Sequence, residues 1–151
     1  MHGNEVLSMN GKVLRSGELA SKAGVSVATL RYYERRGLIP RPARSESGYR
    51  AYPPGTVEVV RMIKQAQKLQ FSLREIGELL QLRNHSEASC ADVCEAGHIK
   101  LQDLENRIAT LTRIRDRLGE LLRTCSRRDD LSAHECPFFS ELAANAESKL
   151  V

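Results

Sequence analysis

Tryptophan is absent, and Phe, Tyr and Trp together make up only 5% of the 151 residues. Sandwich and barrel cores lean on aromatic and β-branched side chains. Their scarcity here, beside abundant Leu, Glu, Arg and Ala, points to an all-α or mainly α chain packed through aliphatic stripes. No apolar run reaches the roughly 18 residues of a membrane span, and the first 14 residues are polar, with Glu5 and Lys12 among them. Neither a membrane partner nor a secretory signal is expected, and the expected location is cytoplasmic. Also missing are a Gly-rich phosphate loop, a nucleophilic triad and paired carboxylates in a pocket-like context, so an enzyme is not expected. The length suffices for one modest core, or for a small domain plus an assembly element.

Charge is unevenly placed. Residues 1–83 hold 14 Lys/Arg against 7 Asp/Glu, whereas residues 84–151 hold 9 against 12. The first half is therefore the candidate nucleic-acid surface. All four cysteines, Cys90, Cys94, Cys125 and Cys136, lie in the acidic second half. In a reducing compartment stable disulfides are disfavoured, which leaves metal binding or thiol chemistry.

Residues 16–22 (SGELASK) read as a short helix with a capping Ser, followed by an Ala-Gly-Val turn and a second helix capped by Ser26 that runs to about Arg36. Two short helices around a tight Gly turn spell helix-turn-helix. Residues 41–52 (RPARSESGYRAY) have no helical period and suit a hairpin, or wing. Pro53-Pro54 opens a helix with apolar Val57, Val60, Ile63, Ala66 and Leu69, and Ser72 caps another that carries Leu73, Ile76, Leu79 and Leu80. Residues 89–123 contain no Pro, and Leu101, Leu104, Ile108, Leu111, Leu118 and Leu122 step by three and four with an interruption at Arg115, a coiled-coil seam. A rod of roughly 50 Å is too long for the remaining chain to cover, so a second copy must meet it. A polar loop over 124–135 and a short helix from Pro137 to about Ala146 complete the expected order.

In a helix-turn-helix the second helix enters the major groove, where it carries Thr29, Arg31, Tyr32 and Tyr33. The wing adds Arg44, Tyr49, Arg50 and Tyr52 for the phosphate backbone. A basic helix alone is as readily a solvated face over core tyrosines. The capped turn and the wing tip the reading toward double-stranded DNA.

The run RSGELASKAGVSVATLRYYERRGLIPRPARSESGYRAY resembles the N-terminal domain of the MerR family of transcription regulators, and VRMIKQAQKLQFSLREIGELL continues the likeness to about residue 82. The resemblance implies a winged helix-turn-helix DNA-binding domain over 14–83 and a homodimer built on a long antiparallel coiled coil over 89–123. It also implies a metal-binding loop and terminal helix over 124–151. Residues 1–13 form an extension with no assigned role. Members of the family act at promoters whose two polymerase-contacting elements are spaced too far apart. They bend and untwist the duplex so that RNA polymerase can use both, which makes DNA deformation the working variable.

Cys90 opens the long helix and Cys125 closes it, so within one chain they cannot share an ion. In an antiparallel dimer the head of one rod lies beside the end of the other, which brings Cys90 of one protomer to Cys125 and Cys136 of its partner and makes two symmetry-related sites. Three sulfur ligands suit a soft divalent ion. The resemblance agrees: metal-responsive members carry cysteines at these three places, and the Cys136-Pro137 pair resembles the mercury-responsive branch. The zinc-type branch adds a Cys and a His where this chain has Ser126 and Asp130. Hg(II) is the expected ion, ahead of Pb(II), Cd(II) and Zn(II). Cys94 and His98 continue the Cys90 stripe at i+4 and i+8 and are further candidate ligands, against the plainer reading of a packed thiol and a solvated imidazole. His134, two residues before Cys136, is a weaker candidate of the same kind. The rival from another class is a thiol redox sensor, with a reversible Cys125–Cys136 disulfide.

Overall fold

The computed structural model describes residues 11–125 and 129–144. In chain order these form α1 (Ser16–Ala23), α2 (Val27–Arg35), the two-residue strands β1 (Ala43–Arg44) and β2 (Arg50–Ala51), α3 (Thr56–Lys68), α4 (Leu73–Asn84), α5 (Cys90–Thr124), a 3-10 turn (Ala133–Glu135) and α6 (Pro137–Ala144). They fall into two compact units, one ending at Gly97 and the other beginning at His98.

In the first unit, α1 packs on α2 and α3, and α4 packs on α3. The core they enclose centres on Leu19, Leu30, Ile39, Tyr52, Val60 and Ile63, all essentially solvent-free. Each buried aliphatic side chain of this size contributes about 1.5–3 kcal/mol of transfer free energy, which is what holds such short helices in place. The turn between α1 and α2 works as its residues require. Gly24 takes φ +70°, a left-handed conformation that Gly adopts without steric cost, and Ser26 caps α2 by accepting from the Thr29 amide at 3.1 Å. The expected cap of α1 is corrected. Ser16 is the first helical residue, and Arg15 stands at the cap position without a side-chain bond.

The wing is an antiparallel hairpin with Ala43 opposite Ala51 and Arg44 opposite Arg50. Its tip is closed by the Ser45 amide on the Tyr49 carbonyl at 2.7 Å and by the Gly48 amide on the Ser45 carbonyl at 2.8 Å. Gly48 sits at φ +84°, as the last residue of a three-residue hairpin loop requires. Beyond the wing, Leu14 and Tyr52 exchange backbone hydrogen bonds of 2.8 Å each. Ser72 and Glu75 form a reciprocal capping box at the head of α4. At the head of α5, the Asp92 carboxylate accepts from the Ser89 amide at 2.7 Å and hydroxyl at 2.8 Å, while the Asp92 amide donates to Ser89 Oγ at 3.3 Å.

With 35 residues and no Pro, α5 is about 52 Å long at 1.5 Å per residue. Leu101, Ile108, Leu111, Leu118 and Leu122 are exposed along it, as are Ile99 and Ile114, and only Leu121 among its leucines is buried. Arg115, the polar interruption of the seam, pairs with its neighbour Asp116 at 2.8 Å. Within the stretch read as an irregular polar loop the structure places a 3-10 turn, Ala133–Glu135, which Ser132 and Glu135 cap reciprocally. The expected end of the terminal helix near Ala146 lies outside the described residues.

Candidate nucleic-acid interface and metal centre

On α2 the side chains divide by face. Arg31 and Tyr32 are exposed, and the Arg35 guanidinium lies 5.9 Å from the Tyr32 ring centroid. Thr29 is half-buried, and its hydroxyl is 2.9 Å from Ser26 Oγ, so it serves the cap. Tyr33 points the other way. It is 3% exposed, and its phenol donates to Gln67 Oε1 at 2.6 Å, tying α2 to α3. Burial, reinforced by the neighbouring Tyr32, raises its pKa above the ordinary tyrosine value.

The wing residues divide likewise. Arg44 is exposed and donates to the Gly48 carbonyl at 2.9 Å, so it both stiffens the hairpin and presents charge. Tyr49 is exposed beneath the Arg15 guanidinium, 4.1 Å from its ring centroid. Tyr52 is 1% exposed and donates to the Glu34 carboxylate. Its pKa is raised, first by burial and then by that hydrogen bond. The assignment of Tyr33 and Tyr52 to the DNA-facing set is therefore corrected: both rings fill the core, because alternate positions of α2 and of the wing must close the domain while the others face outward. Arg50 is intermediate. Its Nε lies 3.4 Å from Glu34 Oε2, with the Arg50 side chain 29% and the Glu34 side chain 5% exposed.

Glu34 and Arg15 are the residues that reading the sequence missed. Glu34 is the lone acid in the basic run RYYERR, and its partners sit 16 and 18 positions further along, beyond the reach of any helical spacing rule. Arg61 and Lys64 on α3 also went unnoticed. They donate to the Lys22 and Gly24 carbonyls at 2.7 and 2.5 Å, satisfying the C-terminal end of α1 with cations, which also suits its dipole.

The cysteines form two thiol pairs. Cys125 and Cys136 are both half-buried with their sulfurs 3.0 Å apart, so the end of α5 lies beside the start of α6. Cys136 stands immediately before α6. The contact with the Cys125 thiol, and then the Phe138 amide, hold its pKa below the usual thiol value, while Cys125 is pushed up by the same contact. Cys90 and Cys94 are both exposed near the head of α5, with sulfurs 3.9 Å apart, and that contact raises the pKa of Cys94. His98 is exposed one turn further on, and His134 is exposed in the 3-10 turn. Among the described residues no cluster of three or more His, Cys, Asp or Glu side chains within one chain is placed to hold a metal ion. A single chain thus offers sulfur in pairs. This donor set fits soft, thiophilic ions. No helix among the described residues is long and apolar enough to cross a membrane.

Two family models match the chain, that of the MerR helix-turn-helix family regulatory proteins over residues 14–83 and that of the MerR DNA-binding region over residues 57–121. The mercuric resistance operon regulatory protein of Bacillus cereus is 43% identical over 128 residues, covering 85% of this chain and 96% of its own length. The transcriptional regulator CueR of Salmonella typhimurium is 33% identical, covering 87% and 94%. The crystal structure of the regulator PbrR691 from Ralstonia metallidurans, in complex with lead(II), superposes with a TM-score of 0.76 at 32% identity, covering 85% of this chain and 98% of its own. These relatives are transcription regulators and not enzymes, and the mainly helical fold with its helix-turn-helix and wing is theirs. The chain belongs to the MerR family of helix-turn-helix DNA-binding transcription regulators.

Proposed function

We propose that this chain is a homodimeric, metal-responsive regulator that distorts promoter DNA for RNA polymerase, and that it senses Hg(II) through Cys90 of one protomer with Cys125 and Cys136 of its partner. The observation that carries this reading is the Cys125–Cys136 pair at 3.0 Å, a two-sulfur claw with no third ligand beside it among the described residues of its own chain. The exposed leucines and isoleucines of α5 support the second copy, since an apolar stripe of this length is unstable in water unless paired. Antiparallel pairing supplies the missing Cys90. The mercuric regulators among the relatives favour Hg(II), while the relative crystallised with lead(II) makes other thiophilic ions the competitors to be tested.

Arg31, Tyr32, Arg44, Tyr49 and Arg15 form the outward DNA-facing set, with Thr29 and Arg50 fixing the helix and wing that carry it. A bound thiophilic ion replaces the thiol protons and ties the sulfurs together. Closing Cys90 onto the partner's claw then draws the head of one α5 against the loop and α6 of the other, favouring one arrangement of the two DNA-binding domains. Smooth bending of an operator-sized duplex costs of order 1–6 kcal/mol, so the preference for one arrangement must be of that size to change DNA shape. Titration of the reduced protein with Hg(II), Pb(II), Cd(II), Zn(II) and Cu(I) under thiol competition tests the reading. Tightest binding of Hg(II) at two ions per dimer is expected. Failure of every ion to compete would replace metal sensing by dithiol oxidation at Cys125 and Cys136.

A further inference from the structure

Cys94 has no place in the three-sulfur site just described, yet it is not a packed core thiol: it is exposed, and its sulfur lies 3.9 Å from that of Cys90. We propose that Cys94 is a fourth ligand, so that the centre of this chain is a four-thiolate site made of two preformed dithiols, Cys90 and Cys94 from one protomer with Cys125 and Cys136 from its partner. This rests on the shared site proposed above and names the ions it admits: four-coordinate thiophilic cations of the Cd(II) and Zn(II) class, beside ions that need fewer sulfurs.

Distance and register support it. Tetrahedral coordination with metal–sulfur bonds of about 2.3 Å sets neighbouring sulfurs about 3.8 Å apart. The Cys90–Cys94 pair already stands at 3.9 Å, so it can take two corners of a tetrahedron almost without moving. Register points the same way. Leu101, Ile108 and Leu122 recur at one core position of the heptad, and Leu104, Leu111 and Leu118 at the other. Continued outward, the first series meets Cys94, and the second meets Cys90 and Gly97 at one end and Cys125 at the other. Cys90, Cys94 and Cys125 therefore all occupy the seam that a partner α5 covers. Gly97, between Cys94 and Leu101 on that seam, has nothing within 4 Å of where a Cβ would lie, which leaves room beside the thiol. Each thiol binds as thiolate and gives its proton to solvent, so a four-thiolate site releases four protons per divalent ion where a three-thiolate site releases three.

Residue-resolved alkylation tests this on the reduced, full-length dimer loaded with one Cd(II) per protomer. All four cysteines should be protected. Cys94→Ser should weaken Cd(II) binding by at least the ~10-fold that loss of even a ligand's hydrogen-bond partner costs, and should remove about a quarter of the sulfur-to-cadmium charge-transfer absorbance. That absorbance separates ligation from mere shielding of the thiol. If Cys94 in the loaded protein alkylates as fast as without metal while Cys90, Cys125 and Cys136 are protected, the fourth ligand is overturned and the three-thiol site stands. Protection confined to Cys90 and Cys94 would overturn both.

Discussion

Arg50 of the wing and Glu34 of α2 are ion-paired at 3.4 Å, with the carboxylate almost wholly buried and bonded on its other side by Tyr52. The pair joins the two elements that must hold a fixed angle on DNA. Arg50→Ala would leave a desolvated carboxylate with one partner, at a cost of about 1–3 kcal/mol in stability, below the full figure for a buried pair because Arg50 is partly in water. Glu34→Gln combined with Arg50→Ala should recover much of that loss. Urea unfolding of the two single variants and the double variant measures the coupling. Additive losses would mean that the pair carries no structural load.

Arg31 is exposed on the outward face of α2, and its side chain has no hydrogen-bond or ion-pair partner among the described residues, so its replacement by Ala should leave stability within about 0.5 kcal/mol of the parent. As a phosphate contact it should also lower the slope of log affinity against log salt by about 1. An unchanged slope assigns Arg31 to bases or to solvent.

Tyr33→Phe deletes one hydrogen bond, to Gln67, and should cost about 1 kcal/mol while the folded protein binds DNA as before. Tyr33 and Tyr52 also give the domain an alkaline limit. Their folded pKa values lie above 10.0, so the unfolded chain loses these protons first. Stability that is complete below pH 10.0 should fall as pH rises through the folded values, and Tyr33→Phe should flatten that fall. Urea midpoints across the alkaline range show which occurs.

The contrast among the four tyrosines shows what was legible in the sequence. Periodicity and caps predict α1 to α6, though not the cap of α1 or the 3-10 turn, because the signals that carry them come from neighbours three or four residues away: Ser26 with Thr29, Ser72 with Glu75, the leucines of α5. Facing is a different matter. Tyr32 and Tyr33 are adjacent in one basic helix, and which of them turns inward depends on Gln67, 34 residues on. Glu34 is hidden for the same reason. The thiol pairing of Cys125 with Cys136 turns on a loop whose composition predicts only irregularity, although the Ser132-to-Glu135 spacing is itself a capping signal.

Leu111→Asp places a charge in the middle of the exposed apolar stripe of α5 and should leave the monomer folded, since Leu111 contributes nothing to the core of its own chain. Sedimentation should show loss of the dimer, and operator binding should go with it. A monomer that bound a palindromic operator at full affinity would contradict pairing through this stripe.

Mixed dimers bring the shared site to its most direct test. Pairing a Cys90→Ser chain with a Cys125→Ser chain leaves one of the two proposed sites with all its sulfurs and strips the other of both replaced ones. Isothermal titration with Hg(II) under thiol competition should then find one site per dimer at the affinity of the parent protein. Two weakened sites per dimer, or none, would show that each chain builds its site alone.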